Sequence, residues 1–68
     1  MWIMVLMVLV NGVFVDNGVR SEAGDANKPD TWNTKAACEA QAKKDMAELI
    51  VPQLGAKSSE VKLDCRKA

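Results

Sequence analysis

The sequence predicts a small α+β domain of order ββαβ, with one helix packed on a mainly antiparallel sheet. Three observations support this fold class. Residues 1–15 are apolar apart from Asn11-Gly12, residues 33–54 show helical periodicity, and residues 60–66 alternate strictly between apolar and charged side chains. At 68 residues the chain is expected to form one domain, residues 1–68. Domains of this size bury only ~60% of their unfolded surface, so a disulfide or a partner subunit often supports them.

Residues 1–17 are predicted to form a β-hairpin. Asn11-Gly12 tolerates the two positive φ angles of a type I′ turn, whose twist matches that of the flanking strands. Two alternatives remain open at this point. A secretory signal would explain the apolar stretch, but the first basic residue is Arg20, so a positively charged start is missing. A membrane-spanning helix needs ~20 predominantly apolar residues, and Asn11-Gly12 interrupts the run too early.

Residues 18–32 have the composition of a polar loop, and a helix is predicted over 33–54. Asn33 or Thr34 can cap its first turn, because a side-chain oxygen there accepts an otherwise unbonded backbone N–H. Pro52 disfavours the helical conformation of the residue before it, so the main helix should end or kink there, and Gly55 suits a left-handed end position. The apolar face of the helix consists of Cys38, Ala42, Met46, Leu49 and Ile50, with lysines and glutamates opposite.

The segment 60–66 is predicted to be a half-buried strand with Val61, Leu63 and Cys65 on its apolar side. Cys38 lies on the apolar face of the helix, so both cysteines would face the same core. A Cys38–Cys65 disulfide is therefore reasonable, and it would contribute roughly 3–4 kcal/mol in the chain-entropy model. Two reduced cysteines acting as small buried hydrophobes remain the alternative.

The composition argues against enzymatic chemistry. Histidine and tyrosine are absent, so the usual acid–base group at neutral pH and the commonest metal ligand are both missing. Two cysteines are at best half of a zinc site. Nine basic and nine acidic residues give zero net charge, which disfavours nucleic acid as a partner. We therefore expect no catalytic, metal-binding or cofactor-binding residues and no cofactor.

The first strand suggests a protein partner. Residues 2–10 do not alternate, so both faces of this strand favour burial, yet one helix covers a single face of the sheet. The other face, or the edge of this strand, is then expected to be covered by a second copy or by another protein. The candidate interface residues are Trp2, Met4, Leu6 and Trp32, whereas Phe14 is expected to pack in the core.

The segment Trp32-Asn33-Thr34-Lys35-Ala36-Ala37-Cys38, in which an aromatic residue, Asn and Thr precede a cysteine at the start of a helix, resembles short phage and prophage proteins of unknown function. Their layout of an apolar hairpin, an alanine-rich helix and a closing strand with a second cysteine is also similar. The resemblance implies a phage-type accessory protein. Together with the apolar first strand and the absence of catalytic residue types, it leads us to expect a non-enzymatic protein that acts by protein–protein interaction or self-assembly. The sequence does not determine its localisation, and the host cytoplasm or the virion is favoured. A virion structural component and a secreted or membrane-associated peptide are the alternatives.

Overall fold

The computed structural model describes residues 1–55, 57 and 59–68. Three strands, β1 (Trp2–Val10), β2 (Val13–Val19) and β3 (Val61–Lys67), form one sheet in the order β2-β1-β3, and both pairs of neighbouring strands are antiparallel. Between β2 and β3 lie α1 (Lys35–Asp45), a π-helical turn (Met46–Ile50) and α2 (Val51–Leu54). The predicted α+β class and the ββαβ order are confirmed.

The hairpin between β1 and β2 turns where the sequence predicts it. Asn11 has a φ of 49° and Gly12 a φ of 80°, so both central residues have the positive angles that a type I′ turn requires. Val10 pairs with Val13 on either side of the turn. Because directly opposed residues point to the same face, this register determines the face of every side chain on both strands.

The helix begins as its capping chemistry predicts and changes form before Pro52. Thr34 is the N-cap, and its Oγ1 accepts a hydrogen bond from the Ala37 N–H at 3.1 Å. Proline has no N–H to donate and its ring crowds the carbonyl four residues earlier. The turn Met46–Ile50 is accordingly π-helical, with the Val51 N–H donating to the Met46 carbonyl. Val51 itself keeps helical dihedral angles, so the helical chain continues to Leu54 and ends at Gly55 with a φ of 65°.

β2 extends to Val19, beyond the predicted loop start at residue 18, because it contains a β-bulge. One extra residue of β2, within Asn17-Gly18, lies opposite β1 between the pairs Met7–Asp16 and Val5–Val19. Gly18 has a φ of 117°, a conformation that side-chain-bearing residues rarely adopt.

The bulge determines where Arg20 points. A shift of one residue moves every following side chain to the other face of a sheet. The Arg20 N–H donates to the Met4 carbonyl at 2.9 Å, so Arg20 lies beside Met4 on the face that the helix covers. Without the extra residue, Arg20 would lie on the opposite face. The chain then forms a loop whose ends meet, since the Asp30 N–H donates to the Arg20 carbonyl, and Trp32 bridges back to Trp2.

The core lies between the helix and the even-numbered side of β1. Met4 and Cys38 are fully buried, Ala42 is nearly so, and Leu63 and Cys65 pack against them. The Cys38 and Cys65 Sγ atoms are 2.17 Å apart, a bonding distance, which brings the two predicted residues together as a disulfide. This link ties the first turns of α1 to the third strand.

The opposite side of the sheet, called here the open face, is partly covered by the chain itself. Arg66 on β3 reaches across β1 to Asp16 on β2, with two hydrogen bonds of 2.7 Å, and its guanidinium lies 3.5 Å from the Met7 Sδ. The Lys62 Nζ likewise lies 4.8 Å from the Phe14 ring centroid. Long cationic side chains can cover apolar surface with their aliphatic stems. The chain therefore covers part of this face itself: Val5 is buried and Met7 and Phe14 are half-buried, while Leu9 is 39% exposed.

Candidate functional site

The four predicted interface residues are not displayed together on the surface. Trp2 and Trp32 are half-buried, pack against the core and are joined by two backbone hydrogen bonds of 2.8 and 2.9 Å. Met4 is 0% exposed, so its side chain is a core residue and cannot contact a partner of the folded chain. Leu6 is half-buried and lines a cleft described below.

The first strand cannot offer an edge to a partner either. β1 is the central strand, and its two edges are occupied by β2 and β3. The expectation of docking at the edge of the first strand was wrong for a simple reason. An antiparallel hairpin followed by a crossing helix can return its last strand to either side, and here β3 pairs with β1 and leaves β2 at the edge.

A partly buried ion pair joins the end of α1 to the start of the loop that follows β2. The Arg20 Nε donates to the Asp45 Oδ2 at 2.6 Å, and another guanidinium nitrogen donates to Asp30. The Asp45 side chain is 7% exposed and also accepts a hydrogen bond from Gln41 at 2.8 Å. The Arg20 guanidinium lies 5.7 Å from the Trp32 ring centroid.

The electrostatics of this cluster favour a structural role. Desolvation lowers the pKa of Arg20, but the hydrogen bonds and charges of Asp45 and Asp30 outweigh it and raise the pKa above its ordinary value. The guanidinium therefore stays charged, and two carboxylates already neutralise it. Such a group is poorly placed to attract an anionic ligand. The cluster fixes the position of the helix C-terminal half over the sheet.

Beside this ion pair, an apolar cleft opens between the sheet and the π-helical turn. Its volume is about 190 Å³. The apolar part of its wall is formed by Met4, Leu6, Leu49, Ile50 and Leu63, and the rim runs along Asn17, Gly18, Val19 and Arg20. We call this feature the helix-side cleft. These rim residues belong to the end of β2, the edge strand, and to Arg20 after it, and the buried Asp45 completes the lining.

Exposed valines continue the apolar surface along the hairpin. Val10, Val13 and Val15, called here the valine stripe, lie on the same side of the sheet as the helix, because Val10 pairs with Val13 and Val15 with Val8. They are 47%, 63% and 41% exposed. Leu49, in the wall of the cleft, is 41% exposed. The helix therefore leaves the turn end of the hairpin uncovered.

The stripe and cleft together can contact apolar groups of a partner. Small-molecule sites usually enclose ~300–1,000 Å³, so a cleft of this size suits an apolar side chain better than a whole ligand. Contiguous exposed apolar surface is the usual mark of an interaction site. Within residues 1–55, 57 and 59–68, no group of three or more His, Cys, Asp or Glu could hold a metal ion. In the same part of the chain, no helix is sufficiently long and apolar to cross a membrane.

No protein-family model, curated protein or solved structure is measurably similar to this chain. The site therefore has to be interpreted from its own geometry.

Sequence reasoning missed the valine stripe and the ion pair, although a signal existed for each. The Asn11-Gly12 turn fixes Val10 opposite Val13, which places the valines on one face. Asp45 follows Ala42 by three residues, so it lies on the apolar face of the predicted helix, where a carboxylate needs a partner.

Proposed function

We propose that this chain is a small non-enzymatic protein-binding domain, in the manner of a phage accessory protein. It binds an apolar segment of a protein at the helix-side cleft and the valine stripe. The observation that supports the proposal is that both features lie on the helix side of β2, where Val15 of the stripe is two residues from Asn17 in the cleft lining. The phage assignment rests on the resemblance around Trp32 and Cys38.

A partner segment in extended conformation fits this surface best. A strand that adds to the edge of a sheet gains main-chain hydrogen bonds, and its alternate side chains contact one face. Beside β2, those on the helix side would lie next to Val13 and Val15 and near the rim of the cleft. Recognition would then combine backbone pairing with burial of one or two apolar side chains, each stabilising by ~1.5–3 kcal/mol when fully buried.

A selection from a random peptide library displayed on yeast tests this function. We expect enriched peptides to carry alternating apolar residues and to bind the wild-type protein. A lysine introduced by Leu49→Lys should weaken that binding at least about ten-fold, since it places a charge in the wall of the cleft. Ala47→Lys, which adds the same charge at an exposed position of the same π-helical turn outside the cleft lining, is the matched control and should bind normally.

Two results would contradict the proposal. One is a selection that enriches no apolar peptides. The other is a set of peptides whose affinity is unchanged by Leu49→Lys. In either case the exposed apolar side chains would be surface without a binding role.

A further inference from the structure

We propose, as an extension of the proposed function, that the protein segment bound at β2 is β2 of a second copy. The two strands pair antiparallel about a two-fold axis at Val15.

The first reason is the free edge of β2. The Leu9 N–H donates to the Glu60 carbonyl on the β3 side, so the Leu9–Phe14 pair does not exchange hydrogen bonds. The N–H and C=O of Phe14 therefore point outward, and alternation directs those of Asp16 outward as well.

The second reason is that β2 lacks the usual protection of an edge strand. Natural sheets deter edge pairing with charged residues, above all lysine. In β3, the other edge, Lys62, Asp64, Arg66 and Lys67 are charged. In β2 the one charged residue is Asp16, and Arg66 of the same chain binds both of its oxygens at 2.7 Å. With zero net charge, the chain has no general repulsion between copies.

The third reason is that one register uses all of the outward groups. With the axis at Val15, Phe14 of each copy pairs with Asp16 of the other, which forms four backbone hydrogen bonds. An axis at Phe14 would instead pair Asp16 with Gly12 in the turn. An axis at Asp16 would oppose two carboxylates and bring Phe14 against the bulge. The register centred on Val15 avoids both conflicts.

The same register brings complementary side chains together. Val15 lies opposite Val15 of the second copy, on the helix side of a continuous six-stranded sheet. Val13, which is 63% exposed, lies opposite Asn17 of the second copy, at the rim of the cleft. The space next to Gly18 is open, because a Cβ placed there would meet nothing within 4 Å. The exposed valine of each copy thus approaches the cleft of the other.

Sedimentation velocity over a range of about 10 μM to about 1 mM protein tests the pairing. The register pairs residues 13–17 of each copy, whereas a standard interface has about 20–30 residues a side, so we expect a dimer that dissociates on dilution. Val15→Lys opposes two lysines across the axis and should weaken dimerisation at least about ten-fold. Val51→Lys is the matched control. It makes the same replacement at a similarly exposed valine (39%) on α2, outside the valine stripe and the cleft lining, and should leave the dimer almost unchanged.

A mixture of the Val15→Lys and Val15→Glu variants provides the decisive rescue. Each variant alone should be monomeric, and the mixture should form dimers, because opposite charges then meet at the axis. A wild-type monomer at all concentrations, a mixture that stays monomeric, or equal loss of dimer with Val51→Lys would overturn the pairing. A monomer that still binds the selected peptides would overturn this inference alone, whereas loss of peptide binding would overturn the proposed function.

Discussion

Reduction of the Cys38–Cys65 disulfide should remove much of the stability of this domain. The two cysteines are 27 positions apart, which in the chain-entropy model corresponds to about 12 cal/mol/K, or about 3.5 kcal/mol at 25 °C. A domain of 68 residues has a total stability of roughly 3–10 kcal/mol. The loss is therefore a third or more of the total.

Urea unfolding followed by tryptophan fluorescence, with and without a reductant, measures this loss. At about 4–8 °C per kcal/mol, the melting temperature of the reduced protein in thermal unfolding should fall by about 14–28 °C. The double variant Cys38→Ala/Cys65→Ala is the control, and the reductant should not change its stability. Mass spectrometry establishes that reduction is complete. If the fully reduced wild type lost less than about 1 kcal/mol, the entropic argument would be refuted for this chain.

Three further predictions concern the polar contacts and the bulge. Asp45→Asn should destabilise the fold by about 1.5–3 kcal/mol in urea unfolding, since it removes one of the two carboxylates that bind Arg20 and leaves Asp30 in place. Glu22→Gln, at an exposed position, should change stability by less than about 0.5 kcal/mol. Equal effects of the two substitutions would contradict the role of the ion pair. Gly18→Ala should cost about 1–3 kcal/mol, measured by thermal unfolding, because the bulge requires a positive φ, and an unchanged melting temperature would contradict the bulge. The Arg66 guanidinium lowers the pKa of the Asp16 carboxyl through a direct hydrogen bond. The contribution of this ion pair to the free energy of unfolding is therefore present above about pH 4, and it is lost as the pH falls through the lowered pKa. The stability difference between the wild type and Asp16→Asn should therefore shrink in melts from neutral to acidic pH, and a constant difference would contradict this assignment.

Features encoded by neighbouring residues could be predicted from the sequence. The Asn11-Gly12 turn, the Thr34 cap and the Gly55 end position each depend on chemistry within a few residues, and the structure has all three. The cysteine pair was one of two open alternatives. The disulfide requires that the helix and the last strand face the same core. The helical period of residues 33–54 and the alternation of residues 60–66 already indicated this arrangement.

Features that depend on register could not be predicted. Asp16-Asn17-Gly18 has the composition of a loop, so the bulge and the continuation of β2 to Val19 were missed. The place of Asp45 on the apolar helix face indicates that it needs a partner. Arg20 is 25 residues away and its position follows from the bulge, so no local signal identifies it as that partner. The contact between Arg66 and Asp16 over the open face also depends on how the strands are arranged. Arg66 reaches Asp16 only because β3 and β2 flank the same central strand.

The placement of a bound partner tests the central claim most directly. We would record amide chemical shifts of the protein by NMR, at a concentration below its self-association, while adding a selected apolar peptide. The account predicts that the largest changes fall on β2 from Val13 to Asp16 and on Leu49 and Ile50 beside the cleft. Changes concentrated on Lys62 and Arg66 of the open face, or spread evenly over the chain, would contradict it.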